Sequence, residues 1–307
     1  MDKLQAITVF VRVVEAGSFS AVALQTNTTQ SAVSKQVAAL ERALGTKLLT
    51  RTTRSLALTE EGERYFKRVR RLVAEMDEAE GELRRGEQQL VGWMRIAASV
   101  GFGRIKLMPM IQTFLAIHPG VKIDVRLQDN LVDLVEEGID AAVRIGDMPD
   151  STLIARRVGA SPRHIVAHSR YLSSLPKGLT TPVKPEDLAA HNCIVYTELP
   201  MRNNWTFTAG PTALEPQGTT RVVRVTGNLQ SNSSEVIRAS VLAGMGIGCS
   251  PTWLFHEEIA SGEVQLLLTN WQPPPVSIHL VSPRERRNSA KVKAFARHVA
   301  DSLAEGE

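Results

Sequence analysis

The sequence predicts a two-domain protein of mixed α and β structure: a small helical domain with a β-hairpin, a long connecting helix, and a larger α/β domain. Three observations carry this. At 307 residues the chain exceeds one typical hydrophobic core. Its first 85 or so residues show helical periodicity and hold the densest basic charge. Beyond about residue 90 the pattern becomes alternating strand and helix.

The elements follow in chain order. Leu4, Ile7, Phe10, Val11 and Val14 recur at helical spacing and predict a first helix with one inward face. Gly17 suits its stop, and Ser18 a cap for a short second helix from Phe19 to about Gln25. Thr26-Asn27-Thr28 reads as a turn, with Thr28 at the N-cap of the third helix. There Val33, Val37, Leu40 and Leu44 form the inward stripe. Ser31, Ser34, Lys35 and Ala38 fall on another face, small and partly basic. Short side chains let a backbone approach a groove. Gln30, Ser31, Ser34 and Lys35 near the helix N-terminus offer groups for base edges and phosphates. Taken alone, this face also suits an ordinary polar surface helix.

Gly45 ends that helix. Residues 47–49 and 56–58 then read as strands around Arg51-Thr52-Thr53-Arg54, a wing with arginines at its tip. Thr59-Glu60-Glu61 caps a long helix. Phe66, Val69, Val73, Met76, Glu80 and Leu83 follow steps of three and four, a seam that predicts a partner helix from a second chain; packing on the chain's own C-terminal domain is the alternative.

Composition agrees with this layout. Hydrophobic content of 43% and charged content of 22% are those of an ordinary globular protein. The net charge is +4, yet from Ser34 to Leu72 alone ten bases face four acids, an excess larger than that of the whole chain. Such a run is commonly a solvated face; around a helix-turn-helix pattern it points to phosphate. The N-terminal apolar stretch is broken by Thr8, Arg12 and Glu15 and does not resemble an export signal, and no apolar run approaches the ~18 residues of a membrane span. Cys193 and Cys249 are too few for a disulfide framework, and a cytoplasmic location with reduced thiols is expected.

The N-terminal segment resembles the DNA-binding domain and linker helix of the LysR-type transcriptional regulators. The matching residues are Phe19, Ala21 and Ala23; Thr29 through Gln36; Leu40-Glu41; Leu44-Gly45; Leu48; Arg51-Thr52-Thr53-Arg54; and Leu58 through Gly62. Leu49 stands where most members carry Phe, and Lys35 where Arg is commoner, which weakens bidentate guanine reading. The resemblance implies a winged helix-turn-helix over 1–59 and a linker and dimerisation helix with a hinge over 60–89, the hinge near 86–89. It implies DNA contact by Ser18, Thr28, Thr29, Gln30, Ser31, Ser34, Lys35, Arg51 and Arg54. It also implies a homodimer, a tetramer or a larger ring on a promoter, a small-molecule effector, and contact with RNA polymerase.

Residues 90–307 alternate: strand 93–98, helix 105–117, strand 121–127, helix 131–137, strand 139–145, then a second unit with strands 164–167, 193–196, 245–249 and 264–268 and a helix 233–243. Strand 276–281 and a helix over 290–303 close the chain. The order argues for mainly parallel sheets. It resembles the periplasmic-binding-protein-like effector domain of the same family, with one lobe of about 91–161 plus 269–307 and another of 162–268. Ligands in such folds bind at strand ends. That selects the Ser99-Val100-Gly101-Phe102-Gly103 turn, which opens a helix whose backbone amides suit an anion, together with Gln128, Gly146-Asp147, Tyr196 and Asn232-Ser233. Polar caps and Arg144 suit a small carboxylate. Plain turn chemistry accounts for each of these residues singly.

Enzymatic readings find little support. Gly101-Phe102-Gly103 lacks the third glycine of a dinucleotide fingerprint, and no G-x-S-x-G elbow occurs. The seven histidines are scattered, so no metal site and no cofactor are expected. A constitutive or architectural DNA-binding protein, its C-terminal domain serving oligomerisation alone, is the remaining alternative. A solute-binding protein of the cell exterior is disfavoured by the extra N-terminal domain.

Overall fold

The computed structural model describes residues 2–51, 56–85, 90–146, 148, 153–286 and 289–305. The chain divides into two compact units: Met1–Trp93 with the segments His118–Lys122 and Asp133–Gly138, and the remainder.

In the first unit, α1 (Lys3–Ala16), α2 (Phe19–Gln25) and α3 (Gln30–Leu44) precede the hairpin β1 (Leu49–Arg51) and β2 (Leu56–Leu58), and α4 (Glu60–Arg85) follows. The local signals explain these bounds. Asp2 and Ser18 accept first-turn N–H groups of α1 and α2, and Gly17 and Gly45 end α1 and α3 in the left-handed conformation. The Thr59 hydroxyl accepts the Gly62 N–H at 2.9 Å and caps α4. The core joins Phe10, Val13, Val22, Val33, Val37, Leu40 and Leu48. Of the face predicted for α1, Phe10 and Val11 are buried and Ile7 and Val14 pack against the core, with Ala6, Val9 and Val13 buried beside them; Leu4 alone of that face is exposed. The predicted seam of α4 is also corrected in its first half. Val69 and Val73 are buried in this same core, and Phe66 stands edge-on to Phe10 with ring centroids 6.2 Å apart. An ion pair of 2.8 Å between Arg70 and Glu15 adds to that attachment. A partner helix is thus not needed to cover these positions.

The second part of the chain runs β3 (Gly92–Ala98), α5 (Val100–Phe102), a π turn over Gly103–Leu107, α6 (Met108–Ile117), β4 (Val121–Leu127), β5 (Ala141–Ile145) and β6 (Ile154–Ser161). It continues with β7 (Arg163–His168), α7 (Ser169–Ser173), β8 (Cys193–Tyr196), β9 (Asn204–Ala209), β10 (Thr220–Arg224), β11 (Gln230–Ser231) and α8 (Ser234–Leu242). Then come β12 (Ile247–Pro251), α9 (His256–Ser261), β13 (Val264–Leu267), β14 (Trp271–Gln272), β15 (Val276–Ser282) and α10 (Ala290–Glu305). One five-stranded sheet has the order β4-β3-β5-β15-β6, a second β11-β8-β12-β7-β13, and a three-stranded sheet β10-β9-β14. Alternation on β7 and β8 separates two cores: Ile165, Ala167, Cys193 and Val195 face one side, Val166 and Ile194 the other with Ile237 and Val241 of α8. On the first sheet, Phe114 of α6 meets Phe295 of α10 edge-on at 5.2 Å.

Several expectations are corrected. The sheets are mixed rather than mainly parallel: β3 runs parallel to β5, but β15 is antiparallel to β5 and β6, and β7 is antiparallel to β12 and β13. The helix read at 105–117 begins earlier, at Val100, through the π turn. The helix read at 131–137 is a single turn. Asp133 accepts the N–H groups of Val135 and Glu136 through its side chain, and Gly138 at φ 63° stops propagation. Strands β6, β9, β10 and β14 were not read from the sequence. Among the described residues, no single helix is long and apolar enough to cross a membrane.

Candidate DNA interface and ligand cleft

The turn between α2 and α3 is held by the chain itself. The Thr28 N–H donates to the Ala23 carbonyl at 2.9 Å, the Thr26 hydroxyl to the Val22 carbonyl at 2.8 Å, and Asn27 adopts φ 52°. The cap of α3 is Thr29, whose hydroxyl accepts the Ala32 N–H at 3.2 Å, not Thr28 as predicted. Thr28 instead lies 3.1 Å from the Thr26 hydroxyl. Val33, Val37 and Leu40 anchor α3 from inside. Gln30, Ser31 and Lys35 are exposed with Thr28 and Thr29, and Ser34 is half-buried between the two faces. The Ser18 hydroxyl accepts the Ala21 N–H at 3.3 Å, so its first task is capping.

A residue that charge counting had treated as a mere acid sets the wing. Glu41 is 7% exposed. Its Oε1 accepts the N–H groups of Leu48 and Leu49 at 3.0 and 3.1 Å, and its Oε2 accepts from Lys47 Nζ at 2.8 Å. Burial pushes its carboxyl up, but the Lys47 bond and the two backbone donors outweigh this and hold it below the ordinary range. The hairpin that follows pairs Leu49 with Leu58 and Arg51 with Leu56. Arg51 is described as the end of β1, and Arg54 lies outside the described residues.

In the larger unit a cavity of about 50 Å³ is lined by Ser99, Ile145, Arg163, Tyr196, Ser234, Ile237, Trp253 and Leu254 among others. A chamber of about 20 Å³ shares Arg163, Tyr196, Leu199 and Cys249 and adds Met201, Arg202 and Asn204. Among the described residues of the predicted set, Ser99 and Tyr196 reach the lining and the others do not. The Val100 N–H already donates to Asp129 Oδ1 at 3.0 Å, so the amide expected to hold an anion is occupied by the protein's own carboxylate. Phe102 is buried edge-on to Trp253, and a Cβ on Gly103 would lie 2.2 Å from the Leu127 side chain. The Gln128 and Gly146 N–H groups donate to the carbonyls of Ala98 and Ser277. Asn232 bonds Asn130 at 2.8 Å, and Ser233 precedes α8 without capping it. Arg144 donates to the Val132 carbonyl and is absent from the lining. Asp147 lies outside the described residues.

Sequence reading missed Arg163, Ser234 and Trp253. They come from a strand start, a helix start and a short 3-10 turn, and no local motif links them. Burial, with Asp129 and Glu198 nearby, pushes the Tyr196 phenol up to about 12, so it is a proton donor at neutral pH. Burial pushes the Cys193 thiol to about 12, and Cys249 also upward despite Arg163, so neither is a ready nucleophile. Among the described residues no cluster of His, Cys, Asp or Glu could hold a metal ion.

Known proteins account for both halves. Residues 4–63 match the bacterial regulatory helix-turn-helix protein, lysR family, and residues 87–304 match the LysR substrate binding domain. An HTH-type transcriptional regulator of Haemophilus influenzae is 33% identical over 296 residues, covering 96% of this chain and 99% of the relative. The HTH-type transcriptional regulator CrgA of Neisseria meningitidis is 35% identical over 264 residues, 86% of this chain and 84% of its own. The solved structure of CrgA, a LysR-type transcriptional regulator, superposes with TM-score 0.58 at 31% identity, covering 97% and 98% of the two chains. Full-length AphB, the Vibrio cholerae virulence activator, does so with TM-score 0.54 at 28% identity over 97% and 98%. These relatives are transcriptional regulators rather than enzymes. With a DNA-binding head matched at one end and a substrate-binding domain at the other, the chain belongs to the LysR family of transcriptional regulators.

Proposed function

We propose that residues 1–59 set α3 into the major groove of promoter DNA, with Gln30, Ser31, Ser34 and Lys35 toward base edges and phosphates and Arg51 and Arg54 along the flank. Thr28, Thr29 and Ser18 fix the helix ends beside the backbone. The observation that carries this is the exposed Gln30-Ser31-Lys35 face, held in place by a buried stripe on the opposite side of α3. Residues 60–89 connect two or more copies of the chain, and residues 90–307 bind a small molecule between a lobe of about 91–161 with 269–307 and another of 162–268. Binding changes DNA affinity because the ligand favours one assembly over another. The protein works in the cytoplasm, and its output reaches RNA polymerase from the promoter.

The test is binding to a DNA fragment from upstream of its own gene. Lys35→Ala weakens binding, and Ser34→Arg blocks groove entry by bulk. Unchanged affinity in both removes α3 from the groove. Arg51→Ala lowers the slope of log affinity against log salt by about 0.9. A small molecule that binds without altering DNA affinity would favour a constitutive DNA-binding protein instead.

A further inference from the structure

Two short stretches of chain join the first five-stranded sheet to the other two sheets: residues 161–163, between β6 and β7, and residues 272–276, between β14 and β15. The Arg163 Nε donates to the Pro274 carbonyl at 3.0 Å and ties these stretches to each other. Elsewhere, side chains bridge the two five-stranded sheets. Arg104, in the π turn after β3, donates from one guanidinium nitrogen to both carboxylate oxygens of Glu235, in the first turn of α8, at 3.1 and 3.3 Å. Asn232, just before α8, donates to Asn130, which follows β4, at 2.8 Å. Gly101 of α5 leaves no room for a side chain unless Ser234 moves, since a Cβ there would lie 2.4 Å from the Ser234 Oγ. Phe102 and Trp253 meet edge-on with ring centroids 5.8 Å apart. The cavity of about 50 Å³ takes its walls from both sides: Ser99, Ile145 and Val276 with the first sheet, and Tyr196, Ile237 and Leu254 with the second.

We infer that the Arg104–Glu235 and Asn130–Asn232 bonds form a latch on this cavity, and that a ring-sized molecule enters only when they break and the two sheets part about the 161–163 and 272–276 links. As a gate for a ligand, the latch rests on the reading of this cavity as the effector site; the opening motion itself does not. The cavity is smaller than the ~150 Å³ that accommodates benzene, so a ring enters only with a change of shape. The side chains of Arg104 and Glu235 are 55% and 30% exposed. Water weakens such a pair, which holds opening back a few-fold rather than forbidding it. That strength suits a contact that has to break in use. The two arms differ in kind: salt screens the ion pair and leaves the amide pair unaffected. Turns of the π type, like the one that carries Arg104, concentrate at functional sites.

Cys249 lines the cavity, and Cys193 is fully buried in the adjoining core. Alkylation of the full chain by iodoacetamide, read at each cysteine by peptide mass spectrometry, therefore follows the opening with no effector added. Arg104→Gln and Glu235→Gln are each expected to speed labelling of Cys249 about two- to fivefold. The double variant is no faster than the faster single one, because both remove the same bond. Asn232→Ala speeds labelling as well. Added salt speeds it in the native chain and in Asn232→Ala, but not in Arg104→Gln. Unchanged Cys249 rates in both single charge variants, additive acceleration in the double variant, or an equal rise at Cys193 overturns the latch. The effector reading is judged separately, by whether a small molecule alters DNA affinity.

Discussion

Replacing Glu41 tests how the wing is held to the recognition helix. In Glu41→Ala, the N–H groups of Leu48 and Leu49 lose their acceptor in a place where Leu48 is fully buried. Each unsatisfied buried donor costs about 1–3 kcal/mol, so a loss of about 2–5 kcal/mol is expected. Lys47 contributes little to this, because its side chain is 76% exposed. Lys47→Ala should therefore cost within about 0.5 kcal/mol. Both backbone donors converge on Oε1, so Glu41→Gln can keep them and gives up the charge and the Lys47 pairing, a loss of about 1 kcal/mol. Native-state hydrogen exchange at the Leu48 and Leu49 amides reads the local opening directly. Urea unfolding of the full chain gives the global effect. Equal exchange rates in Glu41→Ala and Lys47→Ala, or a Gln variant as damaged as the Ala variant, would refute the role given to the two backbone bonds.

Other perturbations follow from the same geometry. The folded-state pKa of Glu41 is depressed, so its contribution is intact above the ordinary glutamate range and lost as pH falls through the lower folded value. Protection of the Leu49 amide should fall with acid in the native chain and change less in Glu41→Gln. Gly62→Ala places a Cβ 2.0 Å from the Leu48 carbonyl oxygen. A shift of helix against hairpin, costing about 1–3 kcal/mol and weakening DNA binding, is the expected outcome of a melt and a binding assay. His191 bonds the Tyr171 hydroxyl and the Thr180 carbonyl. Burial pushes its pKa down, more than Thr180 and Asp187 push it up. Its stabilising effect is thus complete above about 6.5 and fades as pH falls. A urea midpoint in His191→Gln that still tracks pH over 5–7 as in the native chain would remove this residue as the cause.

The N-terminal domain was legible because its signals are local. Asp2, Ser18, Thr29 and Thr59 are side chains acting within three residues of their own position, and Gly17 and Gly45 stop helices where they stand. The exposed face of α3 was likewise set by periodicity. The α4 seam misled, because spacing shows that a stripe is buried and not what buries it; here Phe10 of α1 does. Strands β9, β10 and β14 escaped notice because they form one small sheet from three separate stretches of sequence. The cleft was least legible. Ser99, Arg163, Tyr196, Ser234 and Trp253 meet only through the pairing of distant strands, and Asp129 acts through a bond to a residue 29 positions away.

The burial of Val69 and Val73 also bears on making chimaeras. Exchanging DNA-recognition heads between such regulators at the end of the wing, near Thr59, would split one hydrophobic core between two parents. The junction that respects the packing lies beyond Val73. A graft made there carries its own Arg70–Glu15 pair and its own aromatic contact, and so inherits the intact head together with the start of its lever.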